Sequence, residues 1–509
     1  MTRRPRRRAR KSHGPRDNRA PYTQLKNPFA PVEVLSEDQV EQIHSASMSI
    51  LEQNGMRIMD AGARAILKAG GFSVNEESHQ VLFDREGLLE LIHKAPPRAT
   101  IRGIDPNKRV VMGEGYLAFA AVGGPPFVSD LERGRRSGNY ADMCDFIRLT
   151  QMLNIVHIEG GCSIDPSDLP ASTRHLDFYL ACCTLTDKPW KPLSVGAERA
   201  RDALEMAKIL HGEDDEALAA DPVFFVNTNT NTPLVLDSEI TQGIIEFARA
   251  AQPICVTPFA LAGAMAPATM AGALALQNAE TLAACALVQL VRPGCPYIYG
   301  SFACNVDMRT GSPAFGTPEY TLGAQASGQM ARRYKLPWRS SNVNSSKVPD
   351  AQAAYESQMS LWGAITGHVG VLNQGAGWLE GGLVASYEKL LIDAEMLEMM
   401  AAWMQGITVD NDTLGLDAID EVGPGGHFFG AAHTLERYQT AFYSPLISDW
   451  SNYENWVDRG AQDTATRAHH AWKEMLNNYQ QPVLDPARKE ALEAYVARRK
   501  EQIKQAAAS

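Results

Sequence analysis

The chain has 509 residues, 45% hydrophobic and 21% charged, which excludes a disordered polymer and allows most of the apolar surface to be buried. The net charge of −11 is spread along the sequence, apart from seven basic groups in residues 3–11 (RRPRRRARK). No aromatic platform or reading module follows that arm, so the acidic body offers no nucleic-acid footprint. The arm also lacks the apolar core of a secretory signal, and residues 1–34 read as a solvated, disordered basic tail.

Ser36 opens the first predicted helix, with Val40, Ile43, Met48 and Leu51 at helical spacing and Gly55 as a stop. A second helix is expected over 61–69, followed by short β runs at Val81–Phe83, Thr100–Arg102, Val110–Met112 and Phe127–Val128. Residues 35–114 therefore form an N-terminal α+β section.

From about residue 115 a short β run alternates with a helical stretch, the pattern of βα units around a parallel sheet. Eight runs are predicted: Leu117–Val122, Ile155–Ile158, Pro192–Val195, Val223–Val226, Ile254–Thr257, Tyr297–Tyr299, Pro337–Arg339 and Val369–Asn373. The helices after them are expected near 139–153, 169–186, 197–211, 236–250, 276–292, 317–334, 350–366 and 384–405. Eight consecutive units favour an α/β (β/α)8 TIM barrel over residues 115–405. Residues 406–509 carry GPGGHFFG, an aromatic-rich run and a charged terminal helix, which reads as a C-terminal cap with self-association as its expected use.

Phe259–Leu276 is the one stretch that invites a membrane reading. It is rich in Ala, Gly and Met and broken by Pro267, so it reads as a loop and a buried helix start. The eight cysteines form no C-x-x-C pair and the twelve histidines no H-E-x-x-H, which points to reduced core thiols, a cytoplasmic setting and no protein-bound metal. Neither a phosphate loop nor a nucleophile elbow is present, and the Gly-rich 123–126 and 423–426 lack the context of a dinucleotide fingerprint.

In a barrel the active site lies where the strands end. Glu159 ends the second run, and Gly160 and Gly161 after it leave room for a ligand; the carboxylate is either half of a structural ion pair or a functional group. Asn227 and Asn229 end the fourth run within NTNTNT, as a self-satisfied turn or as amides that orient a substrate. Gln374 and Trp378 follow the eighth run, and Asp350, Gln352 and Tyr355 start the seventh helix at the same end. Phe259, Tyr299, Phe302, Trp338 and Trp378 recur there, and strand parity should bring two or three of them to the site. A quaternary ammonium has no donor, so ring faces and carboxylates are what can hold it.

The blocks 304–319 (CNVDMRTGSPAFGTPE), 332–356 (RRYKLPWRSSNVNSSKVPDAQAAYE) and 370–397 (GVLNQGAGWLEGGLVASYEKLLIDAEML) are the specific text, with 280–300 and 425–438 flanking them. Together they resemble the trimethylamine methyltransferase family over about residues 35–475. The resemblance implies a (β/α)8 fold and transfer of a methyl group from a methylated amine to the Co(I) corrinoid of a separate carrier protein, with no cofactor tightly bound to this chain. Methanogen members carry pyrrolysine, whereas this sequence has only the twenty ordinary residues. It therefore resembles the pyrrolysine-free branch, glycine betaine:corrinoid methyltransferases included, and the replaced position is expected in or near Asn342–Asp350, where Lys347 stands out. On this reading Glu159 stabilises the cation, Phe259, Phe302 and Trp378 form cage walls, and Asn227, Asn229 and Gln374 meet a substrate carboxylate. A barrel lyase without corrinoid and a non-catalytic quaternary-amine sensor remain as alternatives, because a scaffold does not fix a reaction.

Overall fold

The computed structural model describes residues 22–508; the basic run 3–11 and most of the predicted tail lie outside them. The architecture is α/β with mixed sheets. Its main sheet holds, in spatial order, Leu25–Lys26, Tyr116–Ala121, Val371–Ala376, Trp338–Ser341, Tyr297–Gly300, Ile254–Thr257 and Val226–Asn229. Leu25–Lys26 is antiparallel to its neighbour, and the remaining pairs are parallel. Single parallel bridges continue the pairing from the other side of Tyr116–Ala121: Ala120 to Ile158, Glu159 to Trp190, and Trp190 to Phe224.

The third run differs from its predicted place: it pairs at Trp190, not at 192–195. Pro189 and Pro192 remove two ladder donors, and the segment pairs only through Trp190, bridged to Glu159 on one side and Phe224 on the other, with Glu159 N bonded to Pro189 O (2.9 Å).

Helices Tyr140–Met152, Arg174–Leu185, Ala197–His211, Ser238–Arg249, Met270–Val291, Pro318–Arg333, Ala351–Thr366 and Tyr387–Trp403 follow the strands. Met270–Val291 begins earlier than its sequence pattern suggests, because Thr269 caps it through Gly272 N just after Pro267. It is long and apolar enough to cross a membrane, yet 89% of its most apolar stretch is buried inside the fold.

Two cores result from strand alternation. One lies between sheet and helices. The other gathers Ala118, Ala120, Ile158, Phe225, Cys255, Ile298 and Val371 with Ala99, Ile101, Val110 and Met112. The last four belong to the antiparallel pair Ala99–Arg102 and Arg109–Met112. Arg102 N bonds to Pro222 O, so this hairpin covers the N-terminal ends of the strands and leaves the C-terminal ends for a site.

The N-terminal section wraps the outside. Ser36 forms a capping box at helix Glu37–Gln53, and Ser47 on that helix bonds both Ala275 O (2.9 Å) and Asn278 Nδ2 (2.9 Å) of Met270–Val291. The C-terminal region divides in two. Thr464–Asn477 packs on Tyr387–Trp403 through Trp472 and Tyr387, and Pro486–Ala508 anchors Tyr495 and Arg499 on Asp202, each at 2.7 Å. Ahead of both, between Trp403 and Thr464, Ile407, Phe429, Phe442 and Trp450 are exposed.

Candidate active site

The C-terminal strand ends carry a polar layer with two buried cations. Lys191 follows Trp190 on the third segment. Arg339 lies on Trp338–Ser341, in register with Val371 of the inner core. Lys191 Nζ donates to Asn373 Oδ1 at 3.4 Å. Arg339 donates to Ser301 O (3.1 Å) and Gln374 Oε1 (3.0 Å), and the latter also accepts from Ser341 Oγ at 2.8 Å. Thr257 Oγ1 donates to Asn227 Oδ1 at 3.3 Å on the same layer. Burial, with the Arg339 charge beside it, pulls the Lys191 ammonium down to about 8. Two donors of this layer, Arg339 Nε and Asn373 Nδ2, have no hydrogen-bond partner among the described residues.

Aromatic rings pack next to this layer. Phe302 lies 4.7 Å from Phe259, 5.4 Å from Phe315 and 5.7 Å from Tyr320 between centroids, and Phe315 is 5.5 Å from Trp378. Arg339 Cζ sits 5.8 Å from the Phe302 centroid, which joins the rings to the cations. Tyr299 and Trp338 face the other way. Tyr299 OH donates to Asn278 Oδ1 on a helix, and the Trp338 ring packs where Gly367 has no Cβ. Phe259, Gln374 and Asn227 are half-buried and form the accessible edge, while Phe302, Trp378 and Phe315 are buried.

Glu159 is fully buried. Its oxygens accept from Ser163 Oγ (2.6 Å) and Gly161 N (2.9 Å), and burial pushes the carboxyl up to about 7. The space beside the two glycines is taken by protein. A Cβ on Gly160 would lie 2.1 Å from Ala121 O, and one on Gly161, at φ +91°, 2.6 Å from Lys191 Cε. These glycines let the second strand touch the first and let the Lys191 stem pass; they do not reserve room for a ligand.

The other predicted positions spread out. Asn229 is exposed. Asp350 is exposed and caps Ala351–Thr366 by accepting from Ala353 N, and Tyr355 is 59% exposed. Gln352 Nε2 donates to Glu356 Oε1 at 2.8 Å. Glu356 in turn accepts from Ser345 N (2.7 Å) and Ser346 N (3.0 Å), which fixes the 342–350 loop; Lys347 on that loop is exposed. Among the described residues no three His, Cys, Asp or Glu side chains are placed to hold a metal.

A family model described as trimethylamine methyltransferase matches residues 1–504. The chain belongs to the trimethylamine methyltransferase family. It is similar to the glycine betaine methyltransferase of Desulfitobacterium hafniense strain Y51, at 37% identity over 471 residues, which covers 92% of this chain and 98% of that one. It is also similar to the trimethylamine methyltransferase of Desulfitobacterium hafniense strain DCB-2, at 30% identity over 87% of this chain and 89% of that one. Among solved structures, the Methanosarcina barkeri monomethylamine methyltransferase aligns over 87% of this chain and 93% of that one, at 11% identity and a TM-score of 0.45.

Several residues of this candidate site escaped the sequence reading. Lys191 and Arg339 both follow Pro-Trp, at 189–191 and 337–339, and that echo was the available signal. Glu280 is another: a fully buried carboxylate in mid-helix, it accepts from Thr230, from Thr232 at 2.8 Å and from Leu234 N at 2.7 Å. The Asn-Thr run is thus tied by a distant acid more than by its own turn. On the same helix Gln277 Oε1 accepts from Phe302 N at 2.7 Å, so one helix aims both loops.

Proposed function

We propose that this methyltransferase moves a methyl group from a quaternary or tertiary methylated amine, glycine betaine-like by preference, to the Co(I) corrinoid of a separate carrier protein. The observation that carries this reading is the ring cluster Phe259, Phe302, Phe315 and Trp378 beside a buried polar layer, in a chain so similar to a glycine betaine methyltransferase. Ring faces stabilise a desolvated methylammonium by about 2 kcal/mol per good contact.

The corrinoid supplies a strong nucleophile at cobalt. The chain's own residues then have little proton chemistry to perform, because the C–N electron pair stays on nitrogen and the amine leaves neutral. Their work is to hold the N-methyl group in line, strip its water and keep the half-buried edge at Asn227, Phe259 and Gln374 open to the acceptor. Glu159 lies close enough to Lys191 for each charge to favour the other, and serves as a charge-balancing group beside the ammonium.

The three single bridges and the shared inner core support closure of the sheet as a (β/α)8 barrel within residues 115–405, between the 35–114 section and the 406–509 cap. The exposed Phe429 (86%) and Phe442 (88%) support self-association through the cap. Free thiols at all eight cysteines and the need for Co(I) both fit the cytoplasm.

The test is methyl transfer by purified protein to cob(I)alamin, read as the absorbance change to methylcobalamin, across glycine betaine, proline betaine, carnitine, choline and trimethylamine, and repeated with a cognate carrier. Conversion with one methylated amine establishes reaction and donor. Silence throughout moves the assignment to a lyase or an amine sensor.

A further inference from the structure

Buried cations normally meet a carboxylate, because an uncompensated charge in a low-dielectric interior is costly. Lys191 and Arg339 depart from this rule. Lys191 is 9% exposed and Arg339 2%, and among the described residues their hydrogen bonds go to an amide oxygen of Asn373, a carbonyl of Ser301 and the amide of Gln374. Glu159 is the nearby acid, but both its oxygens are engaged by Ser163 and Gly161. An ammonium has three donors and a guanidinium five, so capacity is left over. The leftover donors include Arg339 Nε and Asn373 Nδ2, both buried and unpartnered.

The three residues are neighbours on one layer. Arg339 and Asn373 lie on adjacent parallel strands, Arg339 opposite Val371 and Asn373 opposite Ser341, one inward step apart. Lys191 reaches Asn373 from the far side of the first strand. What would satisfy all of them is an anion with several acceptor lone pairs in one plane.

We propose that Lys191, Arg339 and Asn373 form a carboxylate-binding site, so that the amine accepted here is a zwitterion whose carboxylate lies on this layer and whose methylammonium lies against Phe302. The inference rests on the methyl-transfer reading for what the other end of the ligand does. Its selectivity follows from charge. Two buried cations repel a plain cation such as choline or protonated trimethylamine, and a carboxylate one carbon from the nitrogen reverses that sign. Gln374 is a positioning residue here, since its Oε1 holds Arg339 and Ser341 together.

The experiment is calorimetric titration of the full chain, without corrinoid, with glycine betaine, with 3,3-dimethylbutanoate (the same carboxylate on an uncharged tert-butyl group) and with choline. Both carboxylates should bind more tightly than choline. Lys191→Met should weaken glycine betaine by about 30-fold or more, while leaving choline unchanged or improved. Choline binding as tightly as the carboxylates, no binding of either carboxylate, or full affinity in Lys191→Met would each overturn the site. If Lys191→Met folds poorly, as circular dichroism would report, the three ligands on unmodified protein decide the matter. Carboxylate-dependent binding without methyl transfer from any amine would sink the methyl-transfer reading and leave this site standing. Methyl transfer with no preference for a carboxylate would do the reverse.

Discussion

Buried charge is used in two ways in this molecule, and the difference lies in how completely each charge is satisfied. Around the outside of the strand ends, buried acids are filled by protein donors. Glu280 takes Thr230, Thr232 and Leu234 N; Glu356 takes Ser345 N, Ser346 N and Gln352; Glu388 takes His469 at 2.7 Å and Trp472 at 3.1 Å. Asp393 pairs with the fully buried Lys389 and accepts from Gly377 N at 2.8 Å. Each ties a loop or a helix to its neighbour. On the inner layer, among the described residues, the hydrogen bonds of Lys191 and Arg339 go only to neutral acceptors, with Glu159 near Lys191 but not bonded to it, and donors remain over. A satisfied buried charge holds structure together, and an unsatisfied one awaits a ligand.

The largest expected effect strikes the first group. Glu280→Ala leaves two hydroxyls and a backbone N–H without their acceptor and should destabilise the fold by about 3 kcal/mol. Calorimetric unfolding would show a clear drop in Tm, and an unchanged Tm would mean that the loop does not depend on this acid.

Glu159 lies on the border between the groups. Its oxygens are filled like those of a clamp, yet it faces Lys191 and is fully buried. Glu159→Gln should raise KM or lower kcat by about tenfold or more, roughly 1.4 kcal/mol of transition-state stabilisation. Wild-type kinetics in this variant would place Glu159 with the clamps and outside the site.

A third prediction concerns pH. With burial holding the Lys191 ammonium near 8, below its usual range, the protonated form that meets a carboxylate is present below that pH and lost above it. KM for a carboxylate-bearing amine should therefore rise as pH passes about 8, and Lys191→Arg, which stays charged, should move that rise upward. Glu159 contributes the opposite kind of term. Its folded carboxyl is raised to about 7, so the folded state binds the extra proton between about 4.5 and 7, and this group's contribution to stability falls as pH rises through that window. A KM flat to pH 9 would separate Lys191 from substrate binding.

The smallest effect belongs to Asp350. It is an exposed helix cap, so Asp350→Ala should cost about 1 kcal/mol of stability and leave kinetics unaltered. A large loss of activity there would extend the site to the seventh helix.

Much of this was legible beforehand because periodicity is a strong signal over long segments. Helix Tyr140–Met152 falls within the predicted 139–153, and helix Ala197–His211 fills the predicted 197–211. Glu37–Gln53 begins just after Ser36 and ends just before Gly55, the start and stop expected for it. Of the five aromatics expected near the strand ends, Phe259, Phe302 and Trp378 share one cluster with Phe315, and Tyr299 and Trp338 turn outward by alternation. Phe315 was invisible because its loop has no period. Lys191 was missed for two reasons: the prolines around Trp190 hide the third strand, and a basic residue is by default expected on the surface. Inward parity of a strand centred on Trp190 would have exposed it. Glu280 could have been found as an acid within an otherwise apolar helical run, where only a partnered carboxylate is tolerable.

The most direct measurement is single-turnover methyl transfer to cob(I)alamin with glycine betaine and choline side by side. The account predicts methylcobalamin formation from glycine betaine and a rate from choline lower by about two orders of magnitude, a difference of roughly 3 kcal/mol at the transition state. Equal rates from both donors, or none from either with a cognate carrier present, would contradict it.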